Sequence, residues 1–438
     1  MDKEKIKKEI FKKVKDYYGE AFKEGKFVPG KTYVSHAARV FDEKEILLLT
    51  ESALDFWLTE GRFVKKFEKE FCRFMNVPFT ILTNSGSSAN LLALMSLTSP
   101  KLGERRLKPG DEVIAVAAAF PTTVNPIIQA GCAPVFVDID LDTLNIDSSK
   151  IEKAITKKTK AIFLAHTLGN PFDLNKIMKI ARKNNLFVIE DACDALGSSY
   201  NGQLVGTFGD IATFSFYPAH HITMGEGGAL VTKDPKLKMI IRSFRDWGRD
   251  CWCDTGCDNT CQKRFDWKLG ELPYGFDHKF IYSHIGYNLK LTEMQAAVGL
   301  AQLDKLPEFI KKRKRNFKLF YIGLEKYEKY FIFSKFLPES DPSWFGFPIT
   351  LKKGIGFNRK EIVDYLEKNK IRTRMLFAGN ITKQPYFKNI SYRIFGNLKN
   401  TDYAMENTFW IGVYPGITHE MANYVIRKFD EFLKKYEV

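Results

Sequence analysis

Between residues 112 and 232 the chain repeats one pattern: a short apolar run with strand character, a polar turn, then a stretch with helical periodicity. The runs fall at 112–116, 134–138, 160–166, 186–191, 212–216 and 229–232. Strands separated by helices rejoin a common sheet through crossovers, which sets them parallel and covers the sheet with helices. The pattern therefore predicts an α/β protein built on a mostly parallel mixed sheet. Two helices read plainly, at 173–184 and at 292–306, the second opened by Thr292 with Gln295 as a capping box. After Pro307 the pattern changes to a lysine-rich helix, a strand at 345–351, a helix at 359–369 and a terminal helix after Thr418, a smaller α+β unit.

A chain of 438 residues, 45% hydrophobic and 14% aromatic, has material for a large core and a second one. The expected division is an N-terminal helical arm (1–50), a large α/β domain (51–306) with a cysteine-rich insertion near 248–280, and a small α+β domain (307–438). In the arm, Ile6, Ile10, Val14 and Tyr17 recur at helical spacing among lysines. No apolar run has the length of a signal peptide or membrane span, so a cytoplasmic protein with no membrane association is expected. The net charge of +15 would suit an anionic substrate. It is spread along the chain with no zinc-finger or RNA-recognition pattern, which argues against a nucleic-acid partner.

Open α/β sheets bind ligands at the carboxyl ends of their strands, so the residues just after the runs carry the chemistry. The turn 84–90, with Gly86, Ser87 and Ser88, precedes an apolar helix at 91–97; it either binds an anion at the helix N-terminus or simply caps that helix. Asp191 closes the run at 186–191, where a carboxylate can hold a pyridinium nitrogen protonated or cap a neighbouring helix. A polar, glycine-rich turn containing His220 joins the runs at 212–216 and 229–232.

Taken in order, the Gly86–Ser88 turn, Phe120, Glu190-Asp191-Ala192, Ser215-Phe216 with His220, Gly225-Glu226-Gly227-Gly228 and Gly286-Tyr287-Asn288 resemble the sugar aminotransferase family of the aspartate-aminotransferase fold. The resemblance implies that Gly86, Ser87, Ser88 and Ser215 hold a cofactor phosphate, Phe120 stacks on its pyridine ring and Asp191 pairs with its nitrogen. It also implies a homodimer in which Asn288 reaches the other subunit's cofactor. In that family a lysine stands five residues after the serine; here the position is His220. Imidazole forms no Schiff base but moves protons, so the implied cofactor is non-covalent pyridoxamine 5'-phosphate with His220 as base. That exchange resembles the 3-dehydrases of nucleotide-linked 4-keto-6-deoxy sugars, CDP-linked ones above all. In the segment 372–385, Arg374 suits a diphosphate, and Asn380 is a second candidate substrate contact.

Seven cysteines include four crowded at Cys251, Cys253, Cys257 and Cys261, a clustering that favours metal over disulfides. Cys193, Cys251, Cys253 and Cys261, with 57, one and seven residues between them, resemble the [2Fe-2S] ligand set of the iron-sulfur dehydrases. The resemblance implies an iron-sulfur flavoprotein reductase or a ferredoxin as electron donor. A zinc-bound cysteine loop in a metal-independent dehydrase is the alternative for these thiols, and a sugar aminotransferase-like binding protein the alternative for the whole chain. Cys257 is a spare thiol, and Cys72 and Cys132 read as small buried apolar residues.

Overall fold

The computed structural model describes residues 2–23 and 25–436. Three helices lead the chain: α1 (Lys3–Ala21), α2 (Glu43–Asp55) and α3 (Arg62–Met75). The apolar stripe of α1 stays largely in solvent, and none of its residues is buried. Lys7 pairs with Glu51 of α2 at 2.9 Å, and the Tyr18 hydroxyl donates to the Phe41 carbonyl at 3.2 Å. In α3, Phe67 and Phe71 stack at 5.6 Å and are fully buried against the sheet that follows.

That sheet alternates with helices as the pattern predicts: β1 (Phe79–Thr83), α4 (Gly86–Ser96), β2 (Glu112–Ala115), α5 (Pro121–Gln129), β3 (Ala133–Phe136), α6 (Ser148–Ala154), β4 (Thr159–Ala165), α7 (Leu174–Lys183) and β5 (Phe187–Asp191). A hairpin, β6 (Ser199–Tyr200) and β7 (Gln203–Leu204), precedes β8 (Ile211–Ser215), β9 (Gly228–Thr232) and α8 (Pro235–Arg245). The spatial order is β1-β9-β8-β5-β4-β2-β3, closed at the far edge by a late two-residue strand, Arg393–Ile394. From β8 to that edge neighbours run parallel, while β9 is antiparallel to both β1 and β8. The central strands are buried on both faces and read as unbroken apolar runs for that reason.

Two helices differ from the sequence reading. The helix α4 begins at Gly86, capped by Ser85, one turn earlier than the apolar run implied. The helix α9 (Glu293–Leu324) has the Thr292–Gln295 capping box but continues for 32 residues through Pro307. Leu306 and Phe309, on either side of that proline, are buried, and their packing outweighs the one backbone bond a proline removes. Beyond α9 lie β10 (Phe331–Phe333), β11 (Ser340–Asp341), β12 (Gly346–Leu351), α10 (Arg359–Lys368), β13 (Thr373–Met375), β14 (Arg393–Ile394), α11 (Lys399–Asn407), β15 (Thr408–Gly412) and α12 (His419–Leu433). Strands β10-β12-β15-β13 form an antiparallel sheet with its own apolar cluster around Phe347, Phe409 and Phe429, and β11 adds to the β6–β7 hairpin. Among the described residues no helix is long and apolar enough to cross a membrane.

One buried acid pins the middle of the principal sheet. Glu190 on β5 is fully buried, 3.1 Å from His166 Nε2, and accepts from the amides of Gly206, Phe208 and Gly209 at 2.7–2.8 Å. Burial alone would raise its carboxyl; His166 and the amides reverse this and hold it below the usual range. A carboxyl depressed in the folded state stabilises it above the unfolded value and loses that contribution as pH falls through the folded one. Glu190→Ala is expected to cost roughly 3–5 kcal/mol at neutral pH, with the difference shrinking in acid, read from urea unfolding at pH 7 and pH 4.

Candidate functional site

The carboxyl ends of β5 and β8 and the N-terminal ends of α4 and α5 meet at a cavity of about 870 Å³. Asp191, the last residue of β5, is its buried polar anchor. Its Oδ2 accepts from Asn90 of α4 and Thr123 of α5, both at 2.8 Å, and its Oδ1 from the Cys193 amide at 3.1 Å. Asn90 in turn accepts from Thr213 of β8 at 2.6 Å. Four elements are thus tied to one carboxylate.

The glycines here permit close approach. A Cβ on Gly86 would stand 2.4 Å from the Ser215 Cβ, and one on Gly228 2.3 Å from the Ser85 carbonyl oxygen, so the turn before α4 lies flush against the ends of β8 and β9. The Ser88 amide donates to the Ser85 side chain at 3.1 Å, and the two hydroxyls bond at 3.0 Å; Ser88 serves the cap and does not line the cavity. Among the described residues the amides of Gly86 and Ser87 have no protein acceptor, and they open onto the cavity beside Ser215. Unpaired amides at a helix N-terminus are an arrangement that can hold an anion. Phe120, which precedes α5, is 53% exposed and lines the cavity, its ring centroid 6.5 Å from that of Phe377 in an edge-to-face arrangement.

His220 also lines the cavity, its ring 5.2 Å from that of Phe345. Its Nδ1 lies 3.3 Å from an oxygen of Asp194, a residue the sequence does not mark because the β6–β7 hairpin and β8 separate the pair. Burial pushes the Asp194 carboxyl up, and His220 restrains that rise. With Nδ1 turned to Asp194, Nε2 is the ring nitrogen left for a ligand. The fully buried Arg313 of α9 donates to the His220 carbonyl at 3.0 Å and to the carbonyls of Trp344 and Phe345. His221 is buried with Nε2 2.8 Å from the Ser343 carbonyl, a structural contact.

Arg374 on β13 reaches the cavity mouth together with Met375, Gln384 and Tyr386. Asn380 does not: its amide donates to Asp402 at 2.7 Å and its oxygen caps Thr382, so its side chain is spent on local structure. Asn288 is exposed, bonded to Lys290 at 2.8 Å, and does not line this chain's cavity.

The cysteines divide. Sγ of Cys251, Sγ of Cys261 and a ring nitrogen of buried His278 lie within 4.8 Å of one another. Cys253 is hydrogen-bonded to both thiols; against the burial that raises it, those bonds and one from Thr260 bring it down to about 7, while burial pushes Cys251 up to about 11. His278 Nδ1 is 3.8 Å from Cys261 Sγ and its Nε2 3.3 Å from Asp250, the carboxylate–imidazole arrangement that orients a metal-ligating histidine. Cys193 is not in this group; it lines the cavity, where burial and then Asp191 push its thiol up. Among the described residues Cys251, Cys261 and His278 come together with Cys253 beside them, while Cys193 lines the cavity.

Residues 40–430 match the model of the DegT/DnrJ/EryC1/StrS aminotransferase family. The chain belongs to this family. Within it, the chain is 59% identical over 427 residues to the lipopolysaccharide biosynthesis protein RfbH of Salmonella typhimurium, covering 98% of both. It is 52% identical to the dTDP-4-dehydro-2,6-dideoxy-D-glucose 3-dehydratase of Saccharopolyspora spinosa, covering 98% of this chain and 92% of that one. A solved E. coli GDP-4-keto-6-deoxy-D-mannose-3-dehydratase with bound hydrated PLP superposes with a TM-score of 0.81 at 31% identity, over 91% of this chain and 99% of that one. The fold is accordingly that of the aspartate-aminotransferase type, with the mixed, mostly parallel sheet and a smaller α+β C-terminal region.

For a member of this family, Asp191 is the residue whose setting most defines the cavity floor. Asn90→Ala is expected to lower unfolding free energy by roughly 1–3 kcal/mol, because it strips partners from two buried groups at once. Chemical denaturation checks this, and Asn90→Asp, placing a second carboxylate beside Asp191, is expected to be worse.

Proposed function

We propose that the chain is a 3-dehydratase of a nucleotide-linked 4-keto-6-deoxyhexose, using pyridoxamine 5'-phosphate. The observation that carries this reading is His220 at the position where the family's aminotransferases have their lysine, its ring lining the cavity with Nδ1 3.3 Å from Asp194. The relatives named as 3-dehydratases support the reaction class.

The cavity suits the cofactor. The free amides of Gly86 and Ser87 and the Ser215 hydroxyl would hold its phosphate, the open face of Phe120 its ring, and the buried Asp191 carboxylate its ring nitrogen. Pyridoxamine phosphate, when bound, supplies an amine for the sugar's 4-keto carbon and a ring that accepts electrons. His220 takes up and returns a proton at Nε2, while Asp194 fixes the ring through Nδ1 and steadies it when charged. Tyr217 and Phe345 border His220 and narrow its access to water. Arg374 at the mouth would pair with the diphosphate. CDP is the nucleotide proposed; the dehydratases among the relatives are named for dTDP- and GDP-linked sugars.

The proposal includes a [2Fe-2S] cluster that Cys193, Cys251, Cys253 and Cys261 would hold and that would supply single electrons from a flavoprotein reductase or ferredoxin. It also includes a homodimer, with Asn288 directed to the second subunit's cofactor phosphate, and a cytoplasmic setting.

Borohydride treatment of protein loaded with pyridoxal phosphate, followed by peptide mapping, tests the His220 assignment: no phosphopyridoxyl lysine is expected, and finding one in the cavity overturns it. His220→Asn is expected to cut substrate-dependent proton exchange by ~10²–10⁴ while cofactor binding stays near wild type. Asp194→Asn, which keeps size and removes the charge facing Nδ1, is expected to lower kcat more than it raises KM and to shift the pH profile of kcat.

A further inference from the structure

The cysteines raise a geometric problem that one chain does not solve. Cys193 sits at the cavity with Asp191, beside the first turns of α4, because Asn90 of that helix is bonded to Asp191. The segment carrying Cys251 is fastened beyond the other end of α4: Asp250 to Lys101 at 2.5 Å, and His284 to Ser99 at 2.7 Å. From Asn90 to the last residue of the helix, Ser96, is six residues or about 9 Å, and Ser99 and Lys101 lie beyond it. A [2Fe-2S] cluster, by contrast, needs its sulfurs within a few ångströms of two adjacent irons.

The cysteine segment also forms one unit with Asn288. Trp247 donates to the Tyr287 carbonyl, and short bridges join Asp246 with Asn288 and Arg249 with Tyr282. Wherever Asn288 goes, Cys251 is carried alongside. This unit leaves large apolar groups uncovered: Ile285 is 94% exposed, Tyr274 70% and Phe280 57%. Large apolar groups left in solvent on a unit this firmly tied together mark a surface that another protein covers.

Given the cluster reading of these cysteines, on which this depends, we infer that each cluster is shared between two copies of the chain. Cys251, Cys253 and Cys261 of one subunit meet Cys193 at the cavity of the other. The occupant of the apolar face is then a second copy, because the ligand set is incomplete without it. A two-fold axis generates two such clusters per dimer, each beside the cavity whose Cys193 it uses. His278, backed by Asp250, stands beside the three thiols as an orienting neighbour.

The test uses heterodimers. Cys193→Ser and Cys251→Ser chains carrying different affinity tags are co-expressed anaerobically, and the mixed dimer is isolated by two successive captures. Both variant homodimers are expected to lack the cluster's visible bands and reduced-state EPR signal. The mixed dimer is expected to regain about half the wild-type iron and sulfide, since one of its two sites has all four thiolates. A mixed dimer as empty as the homodimers overturns the inference, because ligands drawn from a single chain leave both sites broken. A Cys193→Ser homodimer with full iron and sulfide overturns it too, making His278 the fourth ligand. Wild-type protein without iron and sulfide sinks the cluster reading itself, a separate result. Bound cofactor absorbance and dimeric elution establish that each variant folds, and Cys253→Ser replaces Cys251→Ser should the latter fail that check.

Discussion

The buried carboxylate of Asp191 is the interaction on which the site depends. It terminates a central parallel strand, where desolvation makes an unpaired charge very costly, and it is held by donors from two helices and its own following turn. Thr213 extends the network to the next strand through Asn90. Because these donors come from α4, α5 and β8, the carboxylate cannot be satisfied unless those elements converge. The same convergence leaves the amides of Gly86 and Ser87 and the Phe120 ring facing one space. Electrostatic satisfaction and site assembly are one event here.

Glu190 and Asp191 are consecutive on β5 and serve opposite purposes. Strand geometry sends neighbouring side chains to opposite faces. Glu190 points to one face and knits it shut with His166 and three loop amides, while Asp191 points toward the helices that frame the cavity. Two adjacent acids in a buried strand make sense only because each has a complete set of donors.

Much of this was legible in the sequence, and the rest was hidden for physical reasons. The strand–helix alternation has one period per strand and survives as pattern, so β2 to β5, β8 and β9 were readable; β1, an edge strand preceding the regular alternation, was not singled out. The helix through Pro307 was hidden because proline's local cost is visible in sequence whereas the packing of Leu306 and Phe309 is not. His220 and Asp191 could be marked by motif, but Asp194, Asn90 and Thr123 act only through contacts made in three dimensions. Asn380 and Ser88 show the converse: polar residues in promising positions whose bonding capacity is used locally. The cysteine spacing marks a set of thiols without showing that Cys193 lines the cavity while Cys251 and Cys261 gather with His278. His278 carried a usable signal, a lone histidine within the cysteine-rich segment, and it was overlooked.

The length of α9 has a mechanical consequence. A helix that runs unbroken from the wall of the principal sheet into the C-terminal sheet is a strut, and Arg313 along it is bonded both to His220 and to Trp344 and Phe345. Swinging the C-terminal sheet as a rigid lid would break those buried bonds and drag the histidine's backbone with it. Enclosure of a ligand must then come from side chains and short loops at the rim, chiefly Met375, Phe377 and Tyr386, whose rearrangement leaves the His220 imidazole where it stands. Such a molecule separates the part of the cavity that can flex from the part that is braced.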